Sequence, residues 1–294
     1  MLLNKLGPLL GAIVLSQCVS SSVLPRKGDD PQGHKWINHD AVAAFPQSQS
    51  DGLTGDMELR FNPALWVSGG CDPYPAVDRD GNLGGGLKPT EGGRSGCDKG
   101  GLGQVYARRG RSQGHEGIMY TYYTPKVRWA KGAKNGHRHY WASVVIWVKR
   151  EGCKVNDLTS IVPVGVSFTT DHEKWGTVTT KSGNVSYRAG GGGGAAIPTH
   201  AKLQIHDNAI SPFKSADTEA MFERTLVSWT SLQASAQQAL NEVQYEKTKV
   251  PFNDANFQPM LDAAYQGSLF TDSDTEEDCD SVGPPKFDDP ATDF

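Results

Sequence analysis

Residues 141–148 read Trp-Ala-Ser-Val-Val-Ile-Trp-Val, a run of β-branched and aromatic side chains of the kind that packs well on a pleated surface. A second such run covers 161–170, and shorter ones fall at 119–124, 177–180, 185–188 and 201–206. Glycine is abundant at 34 residues, but it lacks the three-residue period of a collagen chain. Its concentration at 81–103 and 190–194 marks loops that divide the strands. No internal repeat is present. The expectation is a mainly β chain of about 250 residues with a sandwich or sheet core and not a helical bundle, either one large β domain or one domain with helical additions. Residues 231–243 repeat apolar side chains at helical spacing behind Ser231 as a cap. Asp254 is expected to cap a shorter helix through Met260, Leu261 and Ala264, with Pro259 restricted to an early position, and residues 39–45 form a third helical candidate.

The compartment follows from the two ends and the cysteines. Lys5, an apolar stretch over 9–15 and small residues around Ser20 have the order of a secretory leader, giving residues 1–20 as signal peptide and 21–35 as linker. Lipoprotein processing before Cys18 is disfavoured because Gln17 stands where a small residue is needed. Removing the leader leaves Cys71, Cys97, Cys153 and Cys279, an even set suited to an oxidising compartment, with three pairings open. A bridge across the turn-rich stretch between Cys71 and Cys97 would contribute about 3 to 4 kcal/mol by restricting the unfolded chain. The formal charge of -4 hides a division: residues 271–294 hold nine acids and one base, leaving a body of about +4. The acidic segment reads as a solvated tail, and the mildly basic body carries no nucleic-acid signature.

The segment richest in chemistry is Gly136-His137-Arg138-His139-Tyr140-Trp141-Ala142. His137 and His139 stand two apart just before a strand, a spacing that puts both imidazoles on one face. Asp171, His172 or Glu173 would have to join them to complete a metal or hydrolytic site. There is no His-Glu-x-x-His, Gly-x-Ser-x-Gly or Walker pattern, and the glycines at 190–194 lack a Lys-Ser/Thr ending, so no enzyme is expected. Trp175, Tyr122, Tyr123 and Trp129 are read as aromatics in or beside loops, available to sugar or lipid headgroups. Asn184-Val185-Ser186 is an N-glycosylation sequon.

Gly136 to His139 with the strand that follows, together with Cys71-Asp72-Pro73-Tyr74-Pro75-Ala76-Val77-Asp78, resemble the necrosis- and ethylene-inducing-like protein family of microbial plant-associated effectors. His39-Asp40, Gly84-Gly85-Gly86-Leu87, Ile118-Met119-Tyr120, Tyr123-Thr124-Pro125-Lys126 and Pro251-Phe252-Asn253-Asp254-Ala255-Asn256-Phe257 are similar to family segments in the same order. The resemblance covers 36–270, a necrosis-inducing-protein-like domain. It implies an actinoporin-like or lectin-like β-sandwich flanked by helices, a Cys71–Cys97 disulfide, secretion into the extracellular space, and a monomer. It also implies cytolysis, with a calcium-type cation helping to engage glycosylated sphingolipid headgroups of plant plasma membranes. A plant immune receptor is a second partner it brings in, through the stretch 118–142.

The chain departs from that pattern where the cation should sit. The family heptad is Gly-His-Arg-His-Asp-Trp-Glu, preceded by Pro-Lys-Asp; Tyr140, Ala142 and Val127 stand in place of its three carboxylates. Only His137 remains as a matched ligand. Calcium takes about six to eight oxygen ligands and its affinity follows the carboxylate charge supplied. The expectation is therefore a degenerate site with no cofactor, or weak calcium or magnesium, and weak or absent cytolysis. A rearranged but active site, or a carbohydrate-binding surface protein without toxicity, are the alternatives.

Overall fold

The computed structural model describes residues 34–90, 92–99, 103–129, 135–152, 157–170, 174–189, 198–207, 209–213 and 221–270. The expected leader, the acidic segment, Cys153, Cys279, Asp171, His172, Glu173 and the glycines at 190–194 lie outside those residues. In chain order the first strands are β1 (Trp36–Ile37), β2 (Ala64–Val67), β3 (Leu83–Gly84), β4 (Gln104–Ser112), β5 (His115–Arg128) and β6 (Gly136–Arg150). They are followed by β7 (Ile161–Thr169), β8 (Trp175–Lys181), β9 (Tyr187–Arg188), β10 (His200–His206), β11 (Ala209–Pro212), β12 (Phe222–Glu223) and β13 (Thr225–Ser228). The helices are α1 (Gly52–Arg60), α2 (Ala234–Glu242) and α3 (Phe257–Ala264).

Six strands form the main sheet in the order β13-β4-β5-β6-β7-β8, and a second sheet runs β11-β10-β2-β12 with β9 added beside β10. The long β5–β6 pair runs in register from Glu116 opposite Val148 to Arg128 opposite Gly136. Both faces of this pair are covered, which is why its sequence reads as a continuous apolar run and not as an alternation. On the front, Tyr123, Trp141, Val145 and Trp147 pack against Ala236 and Leu240 of α2 and Met260 and Leu261 of α3. On the back, Tyr120, Ala142, Val144 and Ile146 meet Leu65, Leu203 and Ile205 of the second sheet. The result is the expected β-sandwich with flanking helices.

Several local expectations fail for identifiable reasons. Residues 39–45 make only a turn, with the Ala41 N–H on the Asn38 carbonyl; Phe45 is drawn into extended pairing with the Gln104 side-chain amide, and Pro46 disfavours a helical residue before it. Ser231 does not cap α2, because its hydroxyl donates to the Gln49 carbonyl. Asp254 accepts from Trp229 Nε1 and Asn241 Nδ2 instead of capping, and α3 starts three residues later, with Pro259 tolerated in its first turn. Tyr122 and Tyr123 are fully buried in the middle of β5 and not in loops, whereas Trp129 and Trp175 are half-buried at strand ends.

Candidate functional site

The motif lies where β5 and β6 emerge from the sheet and meet the disulfide loop. Cys71 and Cys97 are bonded, and the loop between them is tied to β5 by Tyr74 N–H to the Tyr123 carbonyl (2.8 Å) and Leu87 N–H to the Pro125 carbonyl (2.7 Å). Two cations complete the attachment. Arg138 Nη1 donates to the carbonyls of Gly85 (2.7 Å) and Gly86 (3.0 Å), and the buried Lys126 ammonium donates to those of Gly92 (3.0 Å) and Ser95 (2.7 Å). Charge-assisted bonds of this kind are roughly twice as strong as neutral ones, so the pair pins a loop that has little apolar content of its own.

The glycines are what let these parts meet. Gly86 has φ +60°, and a Cβ there would stand 2.6 Å from Arg138 Cγ and 2.8 Å from His139 Cε1. A Cβ on Gly136 would collide with the Val127 carbonyl oxygen across the ladder. His39 extends the same attachment, donating from Nε2 to the Gly96 carbonyl (2.8 Å); burial lowers its pKa, which keeps the ring neutral. At the exposed rim the Lys99 ammonium donates to Asp40 and holds that carboxyl below the usual range.

The two histidines do not share a face. His139 has φ 59°, and the ladder skips it and its opposite residue Pro125, which has no N–H to give. That left-handed residue breaks the alternation on which the same-face expectation rests. His139 enters the front core, its Nδ1 2.7 Å from the Tyr123 hydroxyl and its ring 4.5 Å from that of Tyr245. Burial, then the neighbouring charge of Arg138, pushes its pKa down to about 3. His137 stays half-buried at the back, edge-on to Trp129 with centroids 5.6 Å apart, and 6.1 Å from the Tyr140 ring.

The three departures lie on the back face with it. Val127, Tyr140 and Ala142 are 2 %, 1 % and 1 % exposed and belong to the core between the two sheets. Tyr140 directs its hydroxyl to the Thr170 carbonyl at 3.4 Å. Among the described residues no three His, Cys, Asp or Glu side chains come close enough to hold a metal ion. A buried isopropyl, phenol and methyl beside one imidazole do not fit a calcium ion, whose ligands must be oxygens, several of them charged. Trp141, by contrast, is a core residue, its ring 5.0 Å from Tyr123 and 5.6 Å from Phe252. The roles of Lys126 and of the carbonyls at Gly85, Gly86, Gly92 and Ser95 left no mark in the sequence, because any residue carries a carbonyl. Asn184 is exposed in a one-turn 3-10 segment at the far end of the sheet.

Two stacked sheets with a disulfide loop bolted across their strand ends define a braced β-sandwich whose loops, not its core, carry the exposed chemistry. The model of the family described as "Necrosis inducing protein (NPP1)" matches residues 55–264, and the chain belongs to that family. An NLP effector protein of Phytophthora capsici is 33% identical over 230 residues, 78% of this chain and 91% of that one. The "Necrosis-inducing protein NPP1" of Phytophthora nicotianae is 34% identical over 230 residues, 78% and 90% of the two chains. Among solved structures, NLPPya in complex with mannosamine superimposes with a TM-score of 0.63 at 31% identity, covering 79% of this chain and 99% of that one. The non-toxic HaNLP3 protein superimposes with a TM-score of 0.62 at 26% identity, covering 77% and 98%.

Proposed function

We propose that this chain is a secreted, non-catalytic effector that recognises a sugar headgroup on the plant cell surface without the family's calcium chemistry, and that it is weak or inactive as a cytolysin. The observation that carries this is the burial of Val127, Tyr140 and Ala142 together in the core, where the resembled family places three carboxylates. Recognition by the exposed end of the sandwich has support from Trp129, half-buried beside His137, since an indole offers an apolar face with a polar edge to a sugar ring. NLPPya binds mannosamine, which supports an amino-sugar or related hexose as the ligand class. HaNLP3 is a precedent for a non-toxic protein on this fold. Among the described residues no helix is long and apolar enough to cross a membrane.

The decisive experiment pairs calcium calorimetry with dye leakage from plant plasma-membrane vesicles, both on the mature chain. No saturable calcium binding and little leakage, indifferent to chelator, are expected. Tight calcium binding with full lysis by the unmodified chain overturns the proposal and establishes a rearranged, active site. A glycan array on the same material reads the headgroup class independently of lysis.

A further inference from the structure

The sequon Asn184-Val185-Ser186 falls where a groove opens at the end of the main sheet away from the disulfide loop. β8 ends at Lys181, which pairs with Gly165 of β7, itself paired with Trp147 of β6. Trp147 stands eleven residues along β6 from Gly136, roughly 36 Å away at a rise of about 3.3 Å per residue. Beyond Lys181 the chain turns through Ser182–Asn184, closed by the Val185 N–H on the Ser182 carbonyl (3.2 Å). It then crosses to the second sheet, where the Ser186 carbonyl accepts from the Lys202 N–H (2.8 Å). Val185 is buried between the sheets. The backbone of the sequon is thus anchored on both sides, while Asn184 is exposed and its amide has no hydrogen-bond partner among the described residues. The groove has a volume of about 620 Å³ and Asn184 forms part of its wall. Its floor is the half-buried Val162 and Pro163 with Leu269 beside them, and its rim includes the exposed Glu151 and Lys181.

We propose that Asn184 carries an N-linked glycan and that the core sugars of this glycan lie in the groove. The inference rests on the secreted reading above, because the sequon is used only in the secretory pathway. In the transfer Asn184 Nδ2 bonds to the anomeric carbon of a lipid-diphosphate-linked oligosaccharide and gives up a proton. The bond from that carbon to the diphosphate oxygen breaks, and the lipid diphosphate leaves with the electron pair. A tether of one side chain then holds the first sugar at the groove wall at a high effective concentration, so a weak contact suffices to seat it. The volume is in the range that takes a small ligand, and the lining is of the kind such sites have, an apolar floor with a few polar groups. The C–H face of a pyranose ring covers Val162 and Pro163, and the acetamide and hydroxyl groups meet the rim at Glu151 and Lys181. The glycan occupies the end of the sandwich away from the motif and leaves the motif end uncovered.

The test is to express the full chain in a eukaryotic host, once with its own first residues 1–20 and once with a leader of the host in their place. The secreted chain is expected to lose mass on treatment with a glycan-releasing amidase. Asn184→Gln and Ser186→Ala are expected to run at the lower mass untreated, and Ser186→Thr to keep the glycan. An unmodified chain secreted behind the host leader overturns the inference. Export behind the host leader alone overturns the secreted reading, and the glycan is then decided on that form. The seat is read from the rate at which an endoglycosidase cuts between the two core N-acetylglucosamines of the folded chain. The control is Glu246→Asn in the Asn184→Gln background, which places a sequon ending at Thr248 on an exposed turn away from the groove. Cutting at Asn184 is expected to be roughly tenfold slower than in the control, the protection that about 1.4 kcal/mol of contact gives. Val162→Ser with Pro163→Ser is expected to restore the control rate. Equal rates at the two sites overturn the seat in the groove, whether or not the double variant folds.

Discussion

The two faces of β6 have kept different things. On the front, toward α2 and α3, stand His139, Trp141, Val145 and Trp147; on the back, toward the second sheet, stand Tyr140, Ala142, Val144 and Ile146. Of the residues that match the resembled heptad, Gly136, Arg138, His139 and Trp141 brace the disulfide loop or fill the front core, and His137 stays at the back beside Trp129 and Tyr140. The departures, Tyr140 and Ala142 with Val127 on the neighbouring strand, all face the back. The difference teaches that the motif is two devices in one segment: a structural clamp at the front and a back face of apolar and aromatic side chains packed between the sheets. The three residues are also coherent with one another: an isolated ionised carboxylate in this buried face would carry a desolvation cost of several kcal/mol.

If the front face is the structural one, breaking it should cost most. Trp141→Ala is expected to destabilise the chain by about 3 to 5 kcal/mol, read from the midpoint of urea unfolding, because it empties a fully buried aromatic site. A loss under about 1 kcal/mol would mean that the face is not built around this ring. Acid should attack the same face. The unfolded chain takes up a proton on His139 below its ordinary value of 6.5, while the folded chain resists until about 3. Stability from this residue is therefore complete above pH 6.5 and is lost as the pH falls toward 3, at up to about 1.4 kcal/mol per unit. His39, also lowered by burial, adds to the same limb. His139→Asn, a residue that accepts a left-handed backbone, should flatten that limb in a pH series of unfolding midpoints. An unchanged slope would assign the acid sensitivity elsewhere.

Much of the fold was legible because packing on both faces leaves a mark in composition: 141–148 falls within β6, and 161–170 runs one residue beyond the end of β7. The polar strand β4 was not, since Arg108 is held by the Trp229 and Phe257 rings, 5.1 and 4.6 Å away, by the Asp254 carboxylate and by the Phe252 carbonyl, all from distant parts of the chain. Helix α1 was hidden for a similar reason. It contains two glycines, and its buried Glu58 accepts from the Ser50 N–H and from the Ser228 hydroxyl, partners that no local pattern predicts. Of the site, the identity of the departures could be read directly. Their burial on one face, and the separation of His137 from His139, could not, because a single positive φ at His139 decides the direction of the rings.

The clamp itself offers a sharper contrast. Arg138→Gln removes the charge that satisfies two loop carbonyls, and leaving such groups unmet costs about 1 to 3 kcal/mol in unfolding free energy. The disulfide keeps the loop ends together, so the loss should appear also as faster amide exchange at Leu87, whose N–H rests on Pro125 beside the clamp. Normal exchange there would deny Arg138 its bracing role.

The smallest effect should come from the back face, and it is the one that separates the two devices. Tyr140→Phe deletes a hydroxyl whose bond to the Thr170 carbonyl is long at 3.4 Å, while leaving the ring in its place between the sheets. A hydrogen bond of that length contributes at the low end of the usual 0.5 to 1.5 kcal/mol, so a loss of about 0.5 kcal/mol is expected in the same urea series. A cost as large as that of Arg138→Gln would show that the phenol is a working polar group and not apolar filling between the sheets. A small cost leaves its ring as the reason Tyr140 is there, and with it the reading of the back face as core.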